Sequence, residues 1–118
     1  MTLDAIYKSD NGALLDIEQK LESAIEAMLE REAFYAEKRM AAAENEHRYK
    51  LKRALETKKA EGTIKDKEMS AEIACETESL KRLLADAEND IAKEKLLDAR
   101  TVVSARQSIL NAETRRTI

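Results

Sequence analysis

The sequence predicts an all-α protein: a long antiparallel helical hairpin, coiled-coil-like, that dimerises into a four-helix bundle. The 118 residues contain no proline and only two glycines, Gly12 and Gly62. Interior glycine and proline are the strongest local helix breakers, so their scarcity leaves long uninterrupted arms. Gly62 separates two stretches of nearly equal length, Ala13 to Glu61 and Thr63 to about Thr114. Charged residues make up 38% of the chain and aromatics 3%, a composition typical of long helices. With few large side chains, a lone hairpin buries only a thin seam. Self-association into a homodimer that covers a second face is the expected remedy.

Residues 1–12 read as a lead-in, disordered or folded back as a short apolar turn through Leu3, Ile6 and Tyr7, with Ser9-Asp10-Asn11-Gly12 as a turn cluster. Residues 13–118 form the single hairpin domain, with arms at about 13–61 and 63–114 and the hinge at Gly62. The first arm shows helical spacing in Leu14, Ile17, Leu21, Ala24, Ile25, Met28 and Leu29. It continues more weakly through Ala36, Met40, Ala43, His47, Leu51, Ala54 and Leu55. Positions 14, 25, 36 and 47, and likewise 29, 40 and 51, recur every eleven residues, about 3.67 per turn, which predicts a nearly straight packing. Tyr35, Ala42 and Tyr49 fall outside that stripe on a spacing of seven. They define a second contact face, turned toward another subunit.

Lys58-Lys59-Ala60-Glu61-Gly62 ends the first arm, with cations in the last turn and glycine following. Thr63 with Asp66 resembles a capping box that opens the second arm. Leu80, Leu84, Ala87, Ile91, Ala99, Val102, Ile109 and Leu110 form that arm's stripe, with 80, 91 and 102 again eleven apart. Two arms of about 50 residues would each extend about 75 Å.

Net charge is −3, too small to argue for a polyanionic partner by itself. The charge map is polarised: residues 48–67 hold eight cations and three acids, and residues 1–47 hold five cations and eleven acids. In a hairpin hinged at Gly62, residue i faces roughly residue 125−i. Basic 48–57 then lies against 68–77, with Glu68, Glu72 and Glu76. Acidic 18–32 lies against 93–107, with Lys93, Lys95, Arg100 and Arg106. This is charge matching that sets antiparallel register. Lys58, Lys59, Lys65 and Lys67 at the tip escape it and, with Arg115 and Arg116, are the candidate nucleic-acid contacts.

One cysteine, Cys75, excludes an internal disulfide framework and suits a reducing cytoplasm. No apolar run approaches a membrane span. His47 has no second histidine or cysteine at ligand spacing, so no metal site is expected. Cys75 reads as a small seam residue, with Lys50 as a cross-arm neighbour able to lower its thiol pKa. No phosphate loop and no nucleophile–base grouping exists, so the expectation is no catalytic residue, no cofactor and no enzyme.

The segments Ala60-Glu61-Gly62-Thr63, Ala71-Glu72-Ile73-Ala74-Cys75-Glu76, Leu80-Lys81-Arg82 and Leu96 to Leu110, together with Phe34-Tyr35-Ala36-Glu37 and Glu46-His47-Arg48-Tyr49, resemble a group of small bacteriophage helical proteins. The resemblance covers about residues 34–112. Such proteins tend to occur among phage replication and recombination genes. It implies a phage or prophage origin, a place in the host cytoplasm, and an accessory role near DNA metabolism.

The functional expectation is a non-enzymatic interaction protein, engaging a replication, recombination or host-defence protein through its helical faces. Tyr35 and Tyr49 would be the partner anchors. The alternatives are a nucleic-acid accessory protein acting through the basic tip, and a structural or scaffolding part of an assembly.

Overall fold

A computed structural model describes the backbone of residues 3–117 and the side chains of residues 12–116. The fold is the expected all-α hairpin. Helix α1 spans Leu3–Lys59, α2 spans Ile64–Ala74 and α3 spans Glu76–Thr117. Two compact units divide it. One is Phe34–Lys93, including the tip; the other joins Met1–Ala33 with Glu94–Ile118.

α1 passes through Gly12 without interruption, so the expected boundary between a lead-in and the first arm is absent. A single glycine costs a helix interior about 1 kcal/mol, too little to end a helix whose flanking residues all favour it. The expected positions of the Leu3, Ile6 and Tyr7 side chains lie outside the described residues. At the other end α1 stops at Lys59, and the positive φ of the link falls on Gly62, at 110°. Thr63 then caps α2. The Asp66 amide donates to Thr63 Oγ1 at 3.2 Å, and the Thr63 amide donates to Asp66 Oδ2 at 3.2 Å. This is the predicted capping box, satisfying donors that a helix start otherwise leaves open.

The second arm has one irregularity, at Cys75 between α2 and α3. The ladder bonds persist across it: the Cys75 amide donates to the Ala71 carbonyl at 2.9 Å, and the Ser79 amide to the Cys75 carbonyl at 2.8 Å. The rotational phase of side chains is therefore kept from α2 into α3.

Burial corrects the eleven-residue period. In α1 the covered positions include 14, 21, 28, 35, 42 and 49, with 17, 24, 38, 45 and 52 between them. In the second arm they include 71, 78, 85, 92, 99, 106 and 113, with 75, 82, 89, 96, 103 and 110. Both are seven-residue repeats, the a/d pattern of a coiled coil. In the unit made from the chain's two ends the seam is aliphatic. Leu21 and Leu96 are buried, flanked by half-buried Leu14, Ile17, Met28, Val103 and Leu110. In the tip unit the seam consists of small and polar residues, with Ala42, Tyr49, Ala71, Cys75, Ala85 and Ala92 buried.

Members of the eleven-residue set instead lie outside. Met40 is 73% exposed, Leu51 53%, Leu80 58% and Ile91 52%, and His47 and Ala36 are exposed as well. The physical reason is side-chain size. Alanine or cysteine at four of the seven seam positions from 71 to 92 leaves room for the Tyr49 ring, whereas facing rows of leucine and isoleucine would hold the helices apart.

The two glycines make opposite predictions. At Gly12 a Cβ meets nothing within 4 Å, so Gly12→Ala should stabilise by about 0.5–1 kcal/mol. At Gly62 the positive φ is unfavourable to any side chain, and a Cβ would meet Asp66 Oδ2 at 3.0 Å, so Gly62→Ala should destabilise by about 1 kcal/mol or more. Urea unfolding followed by circular dichroism measures both, and equal shifts would contradict the continuous α1. By the same measurement Ala92→Leu should cost about 1–3 kcal/mol through overpacking. Met40→Gln should stay within about 0.5 kcal/mol.

Candidate interaction surface

The tip unit gathers most of the chain's cross-arm polar contacts. Arg53 pairs with Glu72 at 3.0 Å, Lys52 with Glu78 at 3.0 Å and Lys38 with Glu88 at 3.0 Å. In the other unit Arg100 pairs with Glu32 at 3.5 Å. Arg53–Glu72 falls on the register expected from the charge map, and the others lie within two helical turns of it. The cation-rich segment is thus matched by the acidic one across the hairpin, as the sequence implies.

Tyr49, expected as an exposed partner anchor, is 5% exposed. It belongs to the seven-residue seam, and α2–α3 covers it. The Arg82 guanidinium lies 4.1 Å from its ring centroid, a cation–π contact worth about 0.5–2 kcal/mol. Its hydroxyl donates to Glu72 Oε1 at 3.4 Å and accepts from an Arg53 guanidinium nitrogen at 3.5 Å. Tyr35 is half-buried on the same seam, with Arg39 5.9 Å from its ring. Neither ring is a free anchor in the closed hairpin. The heptad spacing of Tyr35, Ala42 and Tyr49 was the available signal; it marks the inner seam and not a second face.

Cys75 is completely buried. Burial pushes its thiol pKa up from the ordinary 9.0, with the Lys52 ammonium acting in the opposite direction. The expected Lys50 neighbour pairs within its own helix, with Glu46 at 3.2 Å. The thiol is therefore less reactive than a free cysteine, contrary to the expected lowering. Lys52 and Glu78 shift each other consistently. Their hydrogen bond is the main cause that raises the lysine above 10.5 and lowers the carboxyl below 4.5.

Of the candidate nucleic-acid contacts, Lys59 reaches Glu56 at 3.9 Å and Arg116 reaches Glu113 at 3.8 Å. Lys58, Lys65 and Lys67 have no ion pair among the described residues. Arg115 and Arg116 stand exposed in the last turn of α3. The tip lysines and the arginine pair belong to different units.

Beside the seam of the tip unit, α1 and α3 form a groove of about 400 Å³. Leu51 and Leu55 supply its apolar lining, at 53% and 49% exposure. Arg48, Lys52, Lys59 and Lys81 contribute cations, and Glu56 and Glu78 are the acids. Sequence reading placed Leu51 and Leu55 in the inner stripe and so missed the groove. Among the described residues no helix is long and apolar enough to cross a membrane. No protein-family model, curated protein or solved structure matches this chain.

Two solution measurements follow from the shifted groups. Glu78 is held below its ordinary pKa, so its stabilisation is complete above 4.5 and is lost as pH falls through the lowered folded value. Lys52 is held above its ordinary pKa, so its share is complete below 10.5 and is lost as pH rises through the raised value. Glu78→Gln should flatten the acid limb of a stability–pH profile; an unchanged limb would mean that Glu78 is not engaged. Alkylation of Cys75 at pH 8 should be slow in the folded protein and speed up with unfolding, tracked by mass spectrometry in graded urea.

Proposed function

We propose that the protein is a non-enzymatic interaction module whose groove at Leu51 and Leu55 receives the apolar face of an acidic amphipathic helix from a partner protein. The supporting observation is an inverted distribution of side chains in the tip unit. Its seam is alanine, cysteine, tyrosine and ion pairs, while Leu51, Leu55, Ile73, Leu80, Leu83, Leu84 and Ile91 point outward at about half exposure or more. Exposed apolar surface of that extent marks interaction sites on folded proteins. Four cations against two acids around the groove favour an acidic partner. The ion pair Arg48–Glu44 is solvent-exposed and therefore cheap to exchange on binding. The resemblance of residues 34–112 to small phage proteins supports a partner among replication, recombination or host-defence proteins.

A second reading rests on Lys58, Lys65 and Lys67, which make no ion pair among the described residues. In it the tip contacts nucleic-acid phosphates, and each released counterion adds to the salt dependence.

Fluorescence anisotropy tests both. The first probe is a labelled helical peptide with leucines at i, i+4 and i+7, made in glutamate-flanked and lysine-flanked versions. The glutamate version should bind more tightly, and Leu51→Ser with Leu55→Ser should weaken it at least about tenfold, or 1.4 kcal/mol. Equal affinity for both versions, or no effect of the serines, would sink the groove reading. The second probe is single- and double-stranded DNA at two salt concentrations. Affinity that falls steeply with salt and disappears when Lys58, Lys59, Lys65 and Lys67 are changed to alanine would favour the nucleic-acid reading.

A further inference from the structure

The outward side of α2–α3 carries a second apolar seam. Ile73, Thr77, Leu80, Leu84, Ala87 and Ile91 follow one another at alternating steps of four and three, the spacing of a coiled-coil a/d row. All six are exposed, the four large ones at 70%, 58%, 56% and 52% for Ile73, Leu80, Leu84 and Ile91. The covered positions 71, 75, 78, 82 and 85 continue one repeat across Cys75, which keeps Ile73 in phase with Leu80. The row lies within the tip unit and ends at Glu94 and Asp98, the next positions of the same repeat. It faces away from the seam formed by Cys75, Glu78, Arg82, Ala85, Asn89 and Ala92.

The order of residues in this row identifies its occupant. Read outward from position 82 in both directions, the pattern is leucine, then threonine or alanine, then isoleucine. Leu80 and Leu84 stand two residues either side, Thr77 and Ala87 five, Ile73 and Ile91 nine. A two-fold dimer needs a patch that is complementary to itself when reversed, and an antiparallel copy centred on residue 82 matches leucine with leucine and isoleucine with isoleucine.

We infer that the outward row Ile73–Ile91 is an isologous homodimer interface, in which α2–α3 of one copy packs antiparallel against α2–α3 of a second copy, the two-fold axis crossing the row between Leu80 and Leu84. The resulting four helices have two inner a/d seams, one within each hairpin, and one outer seam between hairpins. This rests on the reading above that outward apolar side chains are interfaces, but it uses a different surface from the groove.

Sedimentation equilibrium on the full chain should give a dimer at micromolar concentration. Leu80→Glu with Leu84→Glu should yield a monomer with unchanged helicity, because neither residue belongs to the intramolecular seam. Met40→Glu should remain dimeric. Should the double variant lose helicity, cross-linking decides instead. In a Cys75→Ala background, protein with Thr77→Cys mixed with protein carrying Ala87→Cys should form a disulfide-linked heterodimer under mild oxidation. Either variant alone should cross-link at least about tenfold less. A monomeric wild-type chain, a dimer untouched by the two glutamates, or cross-links formed equally by each cysteine variant alone would overturn the proposal. Peptide binding at Leu51 and Leu55 is scored separately, so loss of the dimer and loss of the groove are distinguishable.

Discussion

The seam of small residues between the two arms of the tip unit governs most of the other features. Ala71, Cys75, Ala85 and Ala92 stand at heptad positions and are nearly or wholly inaccessible. With so little side-chain volume on the second arm, the first can bring Tyr49 against it and bury the ring. Larger residues at those four sites would force the helices apart. The same economy of volume leaves little apolar surface inside. Glu78 Oε2, Arg82 Nε and Asn89 Oδ1 are buried there without a hydrogen-bond partner among the described residues, and each such atom opposes folding. The unit is therefore held together by a seam of small buried residues, one stacked ring and matched charges, with limited hydrophobic burial.

The outer faces take their character from this arrangement. Because the seam accepts small and polar residues, the leucines and isoleucines of the tip unit are left for the opposite side of α2–α3 and for the groove beside α1. Surface of this kind makes a solitary protein prone to aggregate, and it is tolerated where a definite partner covers it. The paired ends of the chain differ. There Leu21 and Leu96 are inside with Leu14, Met28, Val103 and Leu110 around them, an ordinary aliphatic seam. Each unit thus has its own means of cohesion, hydrophobic in one and largely polar in the other.

Charge contributes register more than energy. Arg53–Glu72, Lys38–Glu88 and Arg100–Glu32 are exposed to solvent to a considerable degree, where ion pairs contribute modestly. A slip of one heptad would nevertheless place basic 48–57 against a different set of residues and cost several of these contacts together. Lys52–Glu78 is the exception in degree, with the carboxylate only 24% exposed. Its hydrogen bond raises the lysine and lowers the carboxyl, so its contribution fades toward both pH extremes.

The sequence by itself determined the fold class, the hinge at Gly62, the Thr63–Asp66 cap and the facing of basic 48–57 with acidic 68–77, met in the Arg53–Glu72 pair. Each follows from local chemistry or from charges that must face one another in any hairpin with that hinge. It picked the inner face of the early first arm, where Leu14, Ile17, Leu21, Ala24, Ile25 and Met28 are buried or half-buried, but not that of the tip unit. Apolar residues fall on two helical rows, one of period seven and one of period eleven, and the row richer in large side chains is the natural choice for a core. Tertiary structure selected the other row, because two helices pack according to the volumes that both supply at one level. Alanine and cysteine on α2–α3 give a seven-residue groove into which Tyr49 fits, while leucine and isoleucine at the same levels would not. Which row has complementary volume is a property of the pair of arms, and neither arm alone contains it.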